Sequence, residues 1–274
     1  MARVFVLRAY GDFVIMLRCL LLSEYKQAYT LIVSEHLRPL YTAIEKVINT
    51  TSLNVEFHDF GIKKAQLSLF TNKHLLSQNT FNEVAKIKTF LQSSSNNKEV
   101  DYLEQNKRKF LFELLTAHKF KSIFNTNLIY DAYSLFFKSL NEEIDYKPEN
   151  IKNVLIFPDS RLLKKNIPNA LLLQLKERLI LRGYQCTVAL FMQKENADDK
   201  VYENFDDLLQ FIQCADYIIG ADSLPIHIAQ LLNKPHYTLY SPSLTKNFIT
   251  PFAKNSKSFG NFRNYTIPLI NEQC

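Results

Sequence analysis

Three short stretches hold the residues whose types and spacing could do chemistry. In residues 216–242, DYIIGADSLPIHIAQLLNKPHYTLYSP, the apolar run Tyr217-Ile218-Ile219 ends at Gly220 and predicts a buried strand closing in a tight turn. Asp222 and Ser223 follow as N-cap residues, and Pro225 stands where a first helical turn tolerates a missing N–H. Ile226, Ile228, Ala229, Leu231 and Leu232 supply a helix face, Asn233 and Pro235 stop it, and residues 237–240 read as the next strand. Backbone N–H groups at such a helix start attract an anion, typically a phosphate, with Asp222, Ser223 and His227 close by. An ordinary α/β crossover with a good cap and a packing histidine uses the same residues, so both readings stay open.

The other two stretches carry a carboxylate and a set of cations. Gly11 and Gly220, two of only five glycines, each fall in a turn leaving a predicted strand, with Asp12 and Asp222 just downstream. A carboxylate at the C-terminal end of a strand can act as general base if it is held near a substrate hydroxyl. Asp12 also reads as the cap of the following helix. Residues 157–168, FPDSRLLKKNIP, form a basic turn between strand and helix. Its hydroxyl and amine donors could neutralise a diphosphate leaving group, or could be solvated surface.

The elements that must position these residues alternate along the chain. Strands are expected at 4–7, 30–33 and 53–57, with helices over 13–22 and 37–48 between them, an order that implies a parallel sheet. Helices are predicted over 81–91 and 102–117, separated by the polar loop QSSSNNK at 92–98, with one more strand at 122–124. Residues 141–150 are polar, and eight of the nine prolines lie from Pro148 onward, so a boundary is placed there. Strands at 153–157 and 186–191 alternate with helices over 168–181 and 205–215, after which the 216–242 unit completes the second half. The resulting domains are 1–148 and 149–274, with a tail from about 251, including the apolar run 265–270, expected to pack back on the first.

Composition narrows the partners. A chain that is 47% hydrophobic and 22% charged describes a soluble globule with a substantial core. The net charge of +6 favours anionic partners without choosing among them. Cys19, Cys186, Cys214 and Cys274 are scattered with no C-x-x-C pair, as in a reduced cytosolic chain. Arg8, Asp12 and Arg18 interrupt the apolar start, which argues against a secretory leader, and no run reaches the length of a membrane span. Walker and dinucleotide fingerprints are missing, as is any H-E-x-x-H or Cys/His cluster for zinc. A nucleic-acid binder is disfavoured by the lack of a basic helix or of a basic patch interleaved with aromatics.

Taken together, the three stretches resemble glycosyltransferase family 9, the ADP-heptose:lipopolysaccharide heptosyltransferases and their relatives. That family opens with a strand and an R-x-x-x-x-G-D-like turn, which Arg8-Ala9-Tyr10-Gly11-Asp12 follows in slightly shortened form. Its second domain opens with a strand, P-G-A and a lysine before W-P, and here Pro158-Asp159-Ser160 and Lys165-Asn166-Ile167-Pro168 keep the spacing. Its D-[TS]-G-x-x-H-L-A block, followed by a strand ending F-G-P, looks like Asp222-Ser223-Leu224-Pro225-Ile226-His227-Ile228-Ala229 and then Leu239-Tyr240-Ser241-Pro242. Leu224 and Asp159 stand where the family pattern has glycine.

The resemblance implies an α/β chain of GT-B fold, two Rossmann-like domains whose parallel sheets face a central cleft. It implies inverting transfer of a heptose or related sugar from a nucleotide-diphosphate donor to a lipopolysaccharide or surface-glycan acceptor, without metal or cofactor. By the same resemblance Asp12 takes the acceptor hydroxyl's proton, and Ser160 and Lys165 hold the diphosphate. Ser223 and the backbone at Leu224 contact phosphate, Asp222 contacts donor sugar or phosphate-linked groups, His227 completes the donor site, and Glu195 reads the nucleotide ribose. The partners implied are the donor and a glycan or lipid-linked acceptor, met in the cytoplasm by peripheral contact with the inner membrane, and no nucleic acid. A catalytically inactive GT-B protein that binds nucleotide sugars as a scaffold is the alternative, suggested by Leu224 and Asp159.

Overall fold

A computed structural model describes residues 2–63, 66–70, 77–94, 99–104, 107–123, 129–139, 150–192, 199–242 and 252–259. The chain divides into two compact units, Met1–Leu140 and Asn141–Cys274.

In the first unit β1 (Ala2–Val6), β2 (Tyr29–Ser34), β3 (Asn54–His58), β4 (Val100–Glu104) and β5 (Lys121–Ile123) form one sheet in the order β3-β2-β1-β4-β5. Every pairing in it is parallel. Phe5, Val6, Leu31, Ile32 and Val33 are buried, as expected of strands covered on both faces, which read as continuous apolar runs. Helix α1 (Tyr10–Leu21) buries Phe13 to Leu17, Cys19 and Leu20 because α5 (Ile129–Phe137) packs over it. The connection is fixed by Ser23, whose hydroxyl donates to the Phe137 carbonyl at 2.5 Å. Helices α2 (Arg38–Glu45), α3 (Gln78–Ser93) and α4 (Lys109–Thr116) complete the unit.

One element of the first unit departs from the pattern read along the chain. Residues 102–117 do not form a single helix: 100–104 is β4, paired directly with β1, and only Lys109–Thr116 is helical. The reason is tertiary. Asp101 receives both guanidinium arms of Arg3, at 2.6 and 2.8 Å, and Glu104 receives Arg8 at 2.6 Å, partners almost a hundred residues away. Local periodicity cannot register such pairs, so context overrides propensity.

The second unit holds β6 (Asn153–Phe157), β7 (Gln185–Phe191), β8 (Lys200–Tyr202), β9 (Tyr217–Ala221), β10 (His236–Tyr240) and β11 (Ser256–Ser258), ordered β11-β10-β9-β6-β7-β8. All of these pairings are parallel too. Helices α6 (Asn169–Leu181), α7 (Phe205–Cys214) and α8 (Leu224–Leu231) cross between strands. A core of Val154, Ile156, Leu175, Leu179, Ile219 and Leu239 joins sheet and helices. Strand β8 has no counterpart among the elements expected from the sequence. Of the tail, β11 extends the second sheet beside β10, while residues 260–274, with the apolar run at 265–270 and its expected packing on the first domain, lie outside the described residues.

Both sheets are wound in two directions from their first strand, so each has a switch point, between β1 and β4 in one and between β6 and β9 in the other. Loops leaving the carboxyl ends of such a strand pair diverge and leave a crevice where ligands of open α/β sheets bind.

Gly220 allows the close approach that builds the second crevice. A Cβ there would meet Ile226 Cγ1 at 2.9 Å and the Phe157 carbonyl oxygen at 3.1 Å. Ile226 is fully buried and cannot withdraw. Gly220→Ala is therefore expected to destabilise the protein by about 1–3 kcal/mol through overpacking, read as a lower urea midpoint at unchanged slope.

Candidate functional site

In the second unit β6 and β9 are paired with Phe157 opposite Gly220, so the loops that follow them emerge side by side. This brings Lys165 to Asp222. The Lys165 ammonium donates to Asp222 Oδ2 at 2.7 Å and to the Asp222 carbonyl at 3.4 Å. Both side chains are largely withdrawn from solvent, Lys165 14% and Asp222 5% exposed, which makes this an interior ion pair. His227, one turn into α8, is buried behind it, with Nε2 3.5 Å from Asp222 Oδ1 and Nδ1 3.1 Å from Gln230 Oε1. Asp222 is thus held from two sides.

The basic loop is tied down by Asn166. Its Oδ1 accepts from the Ser160 N–H at 2.9 Å, its Nδ2 donates to Asp159 Oδ1 at 3.1 Å, and the Ile167 N–H returns to the Pro158 carbonyl at 2.9 Å. Asp159 also faces Tyr202 on β8, whose phenol is pushed up chiefly by burial and secondarily by that carboxylate. Asn166 was not among the residues singled out from the sequence, because an asparagine before Ile-Pro has no chemical signature of its own.

Helix α8 begins at Leu224 with Ser223 as N-cap and Pro225 in its first turn. The expected side-chain cap is not formed: the Ser223 hydroxyl donates to the Ala221 carbonyl at 3.2 Å instead, and Asp222 is committed to Lys165. The first turn of any helix leaves N–H groups without intrahelical partners. In α8 Pro225 has no N–H and those of Ile226 and His227 return to the Ser223 carbonyl at 3.1 and 3.2 Å, so it is the Leu224 N–H, close in sequence to the carboxylate that holds the Lys165 ammonium, that favours an anion. Leu224 is half-buried there. Glu195 lies outside the described residues.

In the first unit the β1–β4 crevice holds Arg8, Asp12 and Glu104. Gly11 and Asp12 are not in a loop, as the sequence reading had them, because α1 starts at Tyr10 with extended Ala9 as N-cap and no side-chain cap. The Tyr10 hydroxyl reaches the His36 carbonyl at 3.3 Å, which anchors the early start. Asp12 therefore does not cap α1 but sits in its first turn, where the helix dipole favours a carboxylate. Arg8 Nη1 donates to Glu104 Oε2 at 2.6 Å, whereas Arg8 Nε lies 3.3 Å from Asp12 Oδ2 without hydrogen-bond alignment. A cavity of about 10 Å³ adjoins the three groups, with Tyr133, Phe70 and Leu103 on its wall. Burial pushes the Glu104 carboxyl up to about 7 against the pull of Arg8, and Asp12 adds to the rise. Glu104 escaped the sequence reading because β4 was taken for a helix. Among the described residues no group of three His, Cys, Asp or Glu is placed to hold a metal ion, and no helix is long and apolar enough to cross a membrane.

Residues 124–274 match the family described as glycosyltransferase family 9 (heptosyltransferase). The fold is similar to E. coli heptosyltransferase WaaC with ADP at 15% identity and a TM-score of 0.58, covering 94% of this chain and 92% of that one. It is similar to E. coli ADP-heptose lps heptosyltransferase II at 14% identity and 0.58, covering 94% and 90%. A glycosyl transferase family 9 protein from Veillonella parvula DSM 2008 gives 14% and 0.61, covering 94% and 84%. At these identities the likeness speaks to the fold, which is GT-B with two Rossmann-like units. No curated protein matches the chain by sequence.

Proposed function

The chain belongs to glycosyltransferase family 9, and from that premise we propose that it is an inverting, metal-independent transferase moving a heptose or related sugar from a nucleotide-diphosphate donor to a lipopolysaccharide or surface-glycan acceptor. The observation that carries this reading is the buried Lys165–Asp222 pair at the start of α8, on the β6–β9 switch point. A departing nucleoside diphosphate develops negative charge, and a fixed ammonium near the Leu224 N–H that opens α8 stabilises that charge without reorganising.

The proposed roles fall on residues of both units. In the second, Lys165, the Ser160 and Ser223 hydroxyls and the Leu224 N–H take the diphosphate. Asp222 orients Lys165 and faces the donor sugar, His227 steadies Asp222, and Glu195 reads the ribose. In the first, the Asp12 carboxylate accepts the acceptor hydroxyl's proton as that oxygen bonds to the anomeric carbon. The bond from that carbon to the diphosphate oxygen breaks in the same displacement, and the configuration inverts. A lipid-linked acceptor places the work in the cytoplasm against the inner membrane, where a net charge of +6 suits an anionic surface. The alternative of an inactive scaffold has no observation in its favour: Asp159, one of the two residues that suggested it, is engaged by Asn166.

A thermal-shift comparison of ADP, UDP, GDP and their sugar derivatives tests the donor half before any acceptor is known. ADP and ADP-heptose are expected to raise the melting temperature in a concentration-dependent way, since a ligand at 100 times its Kd adds about 2.7 kcal/mol. No stabilisation by any of the nucleotides at millimolar concentration would remove the donor site from the second unit.

A further inference from the structure

We propose that Glu104 is the positioning residue for Asp12: by engaging the Arg8 guanidinium it keeps that cation from pairing fully with Asp12, and so preserves Asp12 as a base. The proposal rests on the reading of Asp12 as the proton acceptor, and concerns what sets its basicity.

The geometry is asymmetric. Arg8 is aligned on Glu104, at 2.6 Å with hydrogen-bond geometry, and only approaches Asp12, at 3.3 Å and misaligned. A guanidinium aligned on a carboxylate holds it ionised and weakens it as a base. Glu104 is well placed to compete, since it ends β4 at the switch point where Arg8 leaves β1 and Asp12 enters α1. Its second oxygen, Oε1, is buried without a hydrogen-bond partner, as is the Tyr133 hydroxyl on the same cavity. A carboxylate is seldom buried so incompletely satisfied for structural reasons alone, because the same volume in an apolar residue costs less.

The charged groups acting on Glu104 are Arg8, from the β1–α1 connection, and Asp12, from α1. From α5, Tyr133 faces the shared cavity. Burial raises the Glu104 carboxyl against the pull of Arg8. When Glu104 takes a proton, Arg8 loses its first partner and turns to Asp12; when Glu104 ionises again, Arg8 returns.

The test is a carbon-13 carboxyl NMR titration of the full chain labelled at Asp and Glu side chains, assigned with Asp12→Asn and Glu104→Gln, which needs neither donor nor acceptor. In Glu104→Gln the Asp12 carboxyl signal is expected to move to lower pH than in the unaltered chain. Arg8→Lys moves it the other way, since a single ammonium stays with Glu104 and releases Asp12. An Asp12 titration unmoved in Glu104→Gln overturns the proposal, and should that variant fail to fold, no upward movement in Arg8→Lys does so. Turnover of ADP-heptose with a truncated lipopolysaccharide-core acceptor reads the consequence. Glu104→Gln is expected to lower kcat about tenfold with KM for donor unchanged and the acidic limb shifted to lower pH, whereas Glu104→Asp restores part of kcat. If Asp12→Ala turns over normally, the base assignment fails; if Asp12→Ala is inactive and the Asp12 titration ignores Glu104, the positioning role alone fails.

Discussion

Asp12→Ala is expected to lower sugar transfer by about 10²–10⁴-fold while ADP affinity stays at its wild-type value. Proton abstraction in the transition state is the only step this carboxylate serves in the proposed reaction, so its loss falls on kcat rather than on donor binding. The fold should survive, since Asp12 sits in the first turn of α1, partly exposed, and its contribution there is a charge–dipole contact worth about 0.3–1 kcal/mol. Loss of Asp12 also leaves Arg8 with Glu104, its aligned partner, so no cation is stranded. Isothermal titration with ADP and single-turnover transfer measure the two halves separately. Wild-type turnover in Asp12→Ala would remove the residue from the chemistry, and a collapse of ADP affinity would make its role structural.

The parts of this architecture that could be read along the chain are those whose causes are local. The β1–α1 and β9–α8 units announce themselves through an apolar run, a turn glycine and a helical face within about twenty-five residues, whereas the crowding of Gly220 by Ile226 exists only in the packed structure. Lys165 and Asp222 were both named, but as two separate contributions. Their meeting depends on β6 pairing with β9, sixty residues later, which no spacing rule reports. Strand β4 shows the limit most clearly. Tyr102 and Leu103 suit strand or helix alike, and what decides is Arg3 on the neighbouring strand and Arg8 in the connection after it, which take Asp101 and Glu104. Misreading that one strand hid the carboxylate closest in role to Asp12. The helix caps differ from expectation for two reasons: Asp222 is taken by Lys165, fifty-seven residues away, and Asp12 lies inside α1, which already starts at Tyr10.

Lys165→Ala should have a double effect, on stability and on donor binding, and the two can be separated. Removing one member of a buried ion pair leaves the other charged and unpaired, at a cost of about 3–5 kcal/mol. Asp222, 5% exposed, has His227 as its remaining neighbour at 3.5 Å, too distant to replace an ammonium at 2.7 Å. Urea denaturation is expected to show that loss, and the double variant Lys165→Ala, Asp222→Asn to recover most of it, because the carboxylate's charge has gone too. Donor binding follows a different course. If the ammonium meets the diphosphate directly, a charge-assisted contact of about 1.5–3 kcal/mol disappears, and ADP binds on the order of 10- to 100-fold more weakly in both variants. If Lys165 serves only to neutralise Asp222, the double variant regains ADP affinity along with its stability. Weak ADP binding in a double variant that is otherwise stable is thus the result expected of a diphosphate-binding lysine, and restored binding would reassign Lys165 as a structural counterion whose loss weakens the site only through Asp222.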